Sequence, residues 1–168
     1  MKKLFIAMCM MLVSATSFAQ KGQVEVGIHG GFILDSPNNL GIGANVGYML
    51  MSNVRGVAEF NYFLKKDYHT MWDANLNIHY LIHFGQLTVY PLAGGGLMDR
   101  TYEDTYLPLY DETISGGIFS DRYFGANAGA GMDYPVNDWL KVNAEVKVQF
   151  VQNHDPRPVA SVGVAVKL

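Results

Sequence analysis

Six charged residues alternate with apolar neighbours along this 168-residue chain: Glu25, Arg55, Glu59, Lys141, Glu145 and Lys147. They are three acids and three bases, a set able to neutralise itself, and their chemistry is that of buried ion pairs. His29, His79 and His83 fall on the same face as these charges. His79 and His83 stand four residues apart, about 13 Å along an extended chain, too far to share a metal ion. No carboxylate or cysteine spacing offers His29 the remaining ligands, so neither a metal nor a cofactor is expected. Nucleophilic catalysis needs a serine activated by a histidine and a carboxylate. Beyond residue 19 the serines are Ser36, Ser52, Ser115, Ser120 and Ser161. Ser115 or Ser120 could meet His69 or His154, but no spacing demands it, and no catalytic residue is assigned.

The other dense cluster is acidic. Asp99, Glu103, Asp104, Asp111, Glu112 and Asp121 are opposed only by Arg100 and interleaved with Tyr102, Tyr106, Leu107, Leu109, Tyr110, Ile114 and Phe119. No EF-hand spacing is present. The segment reads as a solvated acidic loop. A sharper alternative lets its flanking strands continue as a protruding sheet, whose open edge could recruit a partner by strand addition.

The elements that must position these residues have a period of two. In 72–84, Ala74, Leu76, Ile78, Tyr80, Ile82 and Phe84 alternate with Asp73, Asn75, Asn77, His79, Leu81 and His83, and only a strand sends every second residue to one face. The same alternation marks 23–33, 40–50, 54–64, 123–133, 140–150 and 159–168. Segment 86–97 is less regular, because Pro91 and Gly94-Gly95-Gly96 imply a bulge or kink. Eight strands of this length suit tilted membrane crossings. The connections 34–39, 52–53, 65–71, 85–86, 98–122, 134–138 and 152–158 alternate long and short, the asymmetry of an outer-membrane barrel.

Alternation alone does not say which face looks outward. A soluble periplasmic, lipocalin-like barrel binding an apolar ligand would alternate as well. A water-facing surface is usually rich in long charged side chains, whereas here the polar face is mostly Gly, Asn, His and Gln. The opposite face is apolar and uncharged on every regular strand. Tyr48, Tyr62, Trp72, Phe84, Tyr134 and Phe150 fall near strand ends, where aromatic girdles sit. The reading is lipid outside and a polar network inside. An eight-stranded barrel is just wide enough for side chains to fill, which favours an ion-pair plug over a small-solute channel.

Lys2 and Lys3, the apolar run 4–13 and Ser17-Phe18-Ala19 form a secretory signal, so 1–19 is expected to be cleaved and 20–168 to be the barrel domain. The run is too short to span a bilayer. Cys9 leaves with it, which excludes a disulfide scaffold. Removing Lys2 and Lys3 takes the net charge from −3 to −5, and with no basic block this argues against nucleic acid as a partner.

The MKKL…SFAQ start resembles bacterial secretory signals, those of the Bacteroidota in particular. From residue 20 onward the chain resembles the small eight-stranded outer-membrane β-barrels, typified by the OmpA membrane domain and OmpX. The resemblance implies an all-β, eight-stranded antiparallel up-and-down transmembrane β-barrel in a Gram-negative outer membrane. It also implies contact with outer-membrane lipid and insertion by the barrel-assembly machinery. Such chains usually end on an aromatic; this one ends Val164-Ala165-Val166-Lys167-Leu168, keeping the alternation without the ring. Some barrels of this size modify lipid A, but the serine inventory does not support that role here. The expected role is non-enzymatic, structural or surface-interacting, through external loops and chiefly 98–122.

Overall fold

The period-two segments become strands, and the strands close on themselves. The computed structural model describes residues 22–34, 39–66, 69–103, 118–152 and 155–168. Its strands are β1 (Val24–Ile33), β2 (Asn39–Met51), β3 (Val54–Lys66), β4 (His69–Tyr80), β5 (Ile82–Phe84), β6 (Leu87–Glu103), β7 (Ile118–Pro135), β8 (Leu140–Val151) and β9 (Arg157–Lys167). Neighbours pair antiparallel, β1 also pairs β9, and β4 also pairs β6. The sheet is therefore a closed up-and-down barrel of eight staves, in which β4 and β5 are one stave interrupted at Leu81. The interruption has a local cause. Leu81 N donates to Asn53 O at 2.7 Å, and Asn53 Nδ2 donates back to Leu81 O, so the β2–β3 turn draws Leu81 out of the ladder.

The pairings fix the barrel's width. Following partners around it, Ile33 leads to Val159, Lys147, Gly129, Leu92, His79, Arg55 and Met49. Met49 N then donates to Gln23 O on the first stave again, 33 − 23 = 10 residues from the start. A stagger of ten over eight strands tilts them by about 40° and sets a backbone radius of about 8 Å, given about 3.3 Å per residue and 4.8 Å between strands. Side chains can fill such an interior.

At the end where β1 begins and β9 finishes, the connections are 52–53, 85–86 and 136–139. Gly85 takes φ 61°, the left-handed conformation its tight hairpin requires. At the other end the connections are 34–38, 67–68, 104–117 and 152–156. All four are shorter than expected, two of them markedly. The segment 65–71 shrinks to 67–68 because Lys66 pairs with His69 across a bulge. The segment 98–122 shrinks to 104–117 because β6 and β7 run on, pairing as far as Glu103 and Ile118. Thr70 and Thr101, and His69 and Tyr102, extend the β4–β6 ladder beside them. Polar sequence read as loop is here ladder. The long–short alternation is correspondingly weaker than expected.

Leu76, Phe124, Ile28 and Val162 stand on the outer wall, each more than 60% exposed. Among the described residues between the turns, the only charges on that wall are Asp99 and Arg122. The interior is layered. Leu81, Tyr90 and Leu92, with Met49, close the end where β1 begins and β9 finishes. Ile33, Phe63, Met71, Met98, Val151 and Val159 form an apolar layer toward the far end. Polar residues fill the space between.

Candidate functional site in the barrel interior

The interior polar residues form two clusters. The lower one joins Glu25 on β1, Arg55 on β3, Asp133 on β7 and Lys141 on β8. Arg55 Nη1 donates to Glu25 Oε2 (2.9 Å) and Asp133 Oδ2 (2.7 Å), and Lys141 Nζ donates to the same two oxygens at 2.5 and 2.8 Å. Two acids and two bases thus form a closed ring, each charge held by two of the opposite sign. The Arg55 guanidinium lies 5.0 Å above the Tyr90 ring, and Tyr90 stacks on His79 at 4.5 Å. Arg55 Nη2 donates to His79 Nδ1 (3.1 Å), which leaves the His79 proton on Nε2, 4.0 Å from Glu145 Oε2.

The second cluster sits nearer the barrel's mid-height. Lys147 Nζ donates to both oxygens of Glu59, at 2.6 and 2.7 Å, and lies 3.5 Å from Glu145 Oε1. Asn61 Nδ2 bridges Glu59 (2.6 Å) and Asp73 (2.7 Å), and Asn75 and Gln149 also donate to Asp73. Asn127 donates to Asn75 and Asn77. His29 Nε2 donates to Asn61 Oδ1 (2.6 Å), while its Nδ1 accepts from Asn45. Opposite Asn61 and His29 stands Gly43, and a Cβ there would come 2.3 Å from each of them. Glycine at this position is what lets the two polar side chains cross the lumen.

Glu25, His29, Arg55, Glu59, His79, Lys141, Glu145 and Lys147 all turn inward. Glu25, Arg55 and Lys141 gather toward the end where β1 begins, and Glu59, Glu145 and Lys147 gather above them. His83 does not join them. It lies past the barrel's end in the β5–β6 hairpin, exposed, with Nδ1 2.9 Å from Thr88 Oγ1. Tyr90 lies on segment 86–97, whose phase the sequence leaves open, and it turns inward between Arg55 and His79.

Asp73, Asp133 and Gln149 complete the network without having been singled out by charge. Each sits on the polar parity of its own strand, which was the available signal. Arg157 was missed altogether, because Pro156 and Pro158 make its surroundings read as loop. It is 4% exposed, and its Nη1 lies 3.1 and 2.9 Å from the Met71 and Met98 sulfurs. A polar cavity of about 30 Å³ remains beside Glu25, His29, Arg55, His79 and Glu145.

The acidic segment divides. Asp99 is not in a loop but on β6, facing outward, with Arg122 Nε donating to its Oδ2 at 3.1 Å. Glu103 ends β6, and Asp121 lies within β7 opposite Arg100. Asp104, Asp111 and Glu112 fall outside the described residues, as do Ser36, Ser115 and His154. Among the other serines, Ser52 lies in an exposed turn and Ser161 faces the interior opposite Glu145.

A closed eight-stave barrel with an apolar wall and a charged interior has clear relatives. The family described as "Outer membrane protein beta-barrel domain" matches residues 5–164. The chain belongs to this family. Its place is accordingly the Gram-negative outer membrane, in contact with lipid. Among solved structures, the N-terminal β-barrel domain of Pseudomonas aeruginosa OprF aligns with a TM-score of 0.62 at 17% identity, covering 88% of this chain and 100% of that one. Neisserial surface protein A (NspA) aligns at 0.66 and 14% identity, covering 88% and 97%. Ail, the attachment invasion locus protein of Yersinia pestis, solved with the heparin analogue sucrose octasulfate, aligns at 0.59 and 11%, covering 88% and 97%. At these identities the likeness is one of fold. No curated protein matches the chain.

Proposed function

We propose that 20–168, after removal of 1–19 and insertion by the barrel-assembly machinery, is a non-enzymatic outer-membrane protein. Its role is structural or surface-interacting, through external connections and chiefly 98–122, while its lumen is plugged by the ion-pair network. The observation that carries this reading is the interior itself. Charges on four staves meet at 2.5–2.9 Å, and the cavity left beside them, about 30 Å³, has room for about two waters. A hydrated solute needs more space than that. His29 and His79 bond to Asn61, Asn45 and Arg55 rather than to a serine, which weighs against either as the base of an acyl transfer.

With the interior spoken for, the water-facing chemistry lies outside. β8 ends at Val151, paired to Gly125, and Gln152 N still donates to Phe124 O, so among the described residues the β8 ladder stops short of the part of β7 from Ile118 to Arg122. Such an edge suits an extended partner segment added as a further strand. NspA and Ail are named for the surface and for attachment, which agrees with a surface role. With Asp99 paired to Arg122, the five acids between 103 and 121 disfavour a polysulfated ligand of the kind solved with Ail and favour a partner carrying positive charge.

The test is complementation of a strain lacking this protein. Three chains are compared: the full chain, a chain with 104–117 replaced by a two-residue turn, and the Lys147→Met/Glu59→Gln double variant. Surface attachment and detergent sensitivity are the readouts, with lipid A profiles alongside. The full chain and the double variant should restore the phenotype, and the shortened chain should not. Full rescue by the shortened chain, or a lipid A profile altered in the deletion strain, would contradict the proposal.

A further inference from the structure

One charged pair stands on the outer wall, and it stands at a particular level. Asp99 pairs with Arg122 across β6 and β7. The stagger lowers successive partners by about 3 Å per stave, so Trp72 on β4 lies about 6 Å and Tyr62 on β3 about 9 Å below Arg122 along the barrel axis. Asp99 is only 4% exposed, whereas the Arg122 side chain is 76% exposed. Arg122 Nε donates to Asp99 Oδ2 at 3.1 Å, and Nη1 and Nη2 have no partner among the described residues. Phe124, two residues below on the same face, is 71% exposed.

The depth of this pair follows from the strand geometry. On β7, Arg122 lies twelve residues from Tyr134, whose hydroxyl donates to Gln86 at the periplasmic rim. Twelve residues tilted by about 40° span about 30 Å along the barrel axis, slightly more than an apolar band of about 25 Å. Arg122 therefore sits at the outer-leaflet interface, where charge on the lipid face is tolerated, and Trp72 and Tyr62 just below it suit the aromatic girdle.

The arrangement also has a direction. Asp99 holds the guanidinium by its Nε and is itself covered, so the surface presents the two terminal nitrogens. A planar guanidinium with both terminal groups free is matched to a phosphate, which it can bind bidentately. From this geometry we propose that Arg122, oriented by Asp99, binds the phosphate of an outer-leaflet lipid, with Trp72, Tyr62 and Phe124 against the lipid's less polar part. Arg122 is the binding residue and Asp99 a positioning residue. The inference uses neither the lumen nor the connection 104–117; Asp99 and Arg122 fall within 98–122, but its readout, preference for a phosphorylated lipid, is separate from surface attachment.

Native mass spectrometry of the full chain refolded in detergent tests it, with lipid A and enzymatically dephosphorylated lipid A as probes. The wild type should bind the phosphorylated form at least tenfold more tightly. Arg122→Gln should erase that preference and Arg122→Lys keep only part of it. Asp99→Asn should reduce the preference about threefold without erasing it, since the guanidinium remains but is no longer aimed. Inorganic phosphate at millimolar concentration should not displace the lipid; complete displacement would make this a free-phosphate site and overturn the assignment to lipid. Equal affinity of the wild type for both lipid forms would overturn it without any variant, which covers the case where Arg122→Gln does not fold. An unchanged preference in a folded Arg122→Gln, checked by its heat-modifiable gel mobility, would do the same. Lys167→Gln, a charge removed at the opposite rim, should change nothing.

Discussion

Replacing Lys147 with methionine removes the cation on which the mid-height cluster is built. Lys147 is 2% exposed and donates two charge-assisted bonds shorter than 3 Å to Glu59, with Glu145 at 3.5 Å. Each such bond contributes about 1.5–3 kcal/mol. Breaking a buried pair from one side typically costs about 3–5 kcal/mol, because the remaining charge stays buried. Glu59 would keep its bond from Asn61 at 2.6 Å, and Glu145 its 3.4 Å contact with Tyr90, so the lower end, about 3 kcal/mol, is expected. The companion Glu59→Gln change removes the stranded carboxylate while keeping an acceptor for Asn61. The Lys147→Met/Glu59→Gln double variant should therefore be at least about 2 kcal/mol more stable than the sum of the single effects. Urea unfolding of the refolded barrel in detergent, followed by tryptophan fluorescence and by gel mobility, measures all four corners of the cycle. A single-variant loss below about 1 kcal/mol, or simple additivity in the double, would refute the claim that this pair is dry and mutually dependent.

Other perturbations probe other parts of the molecule. Val146→Arg puts a charge on the lipid-facing wall at a position 55% exposed, and should cost about 2–4 kcal/mol and lower the folded fraction in liposomes. Folding yield unchanged from wild type would mean that this face does not meet lipid. Gly43→Val should disrupt the His29–Asn61 crossing, since a Cβ there falls 2.3 Å from both partners, and thermal unfolding should show a loss of about 1–3 kcal/mol. Replacing 104–117 by a two-residue turn should leave barrel stability within about 1 kcal/mol, because external loops tolerate length changes. A variant that fails to refold would show that the connection is part of the barrel's packing.

Much of the fold was legible because a lipid-facing wall and a filled lumen impose opposite polarities at every step of every strand. That constraint made 72–80 and 140–150 unambiguous and placed Glu25, Arg55, Glu59, Lys141, Glu145 and Lys147 on one side. It fades where the strands leave the membrane. The sequence around Thr70, Thr101 and Tyr102 does not alternate apolar with polar, so the ladder they form could not be told from loop. His83 keeps the inward parity, but the lumen ends before it does, and periodicity carries no information about height. Arg157 was hidden by two flanking prolines, and Asp99 broke the outward rule because it stands at the interface rather than in the apolar band. Partner choice within the lumen was not legible either. It depends on the stagger of ten residues, which brings Glu25 to Arg55 and Lys141, and that stagger is a property of the closed barrel.

Conductance of the refolded 20–168 chain in planar lipid bilayers tests the closed lumen most directly. Two ion clusters lie between apolar layers at both ends, so the account predicts a flat baseline in molar salt. The Arg55→Ala/Lys141→Ala variant, with the lower ring opened, should be the one that leaks. Stable, reproducible current steps from the wild type, unchanged in that variant, would contradict a lumen closed by its own side chains.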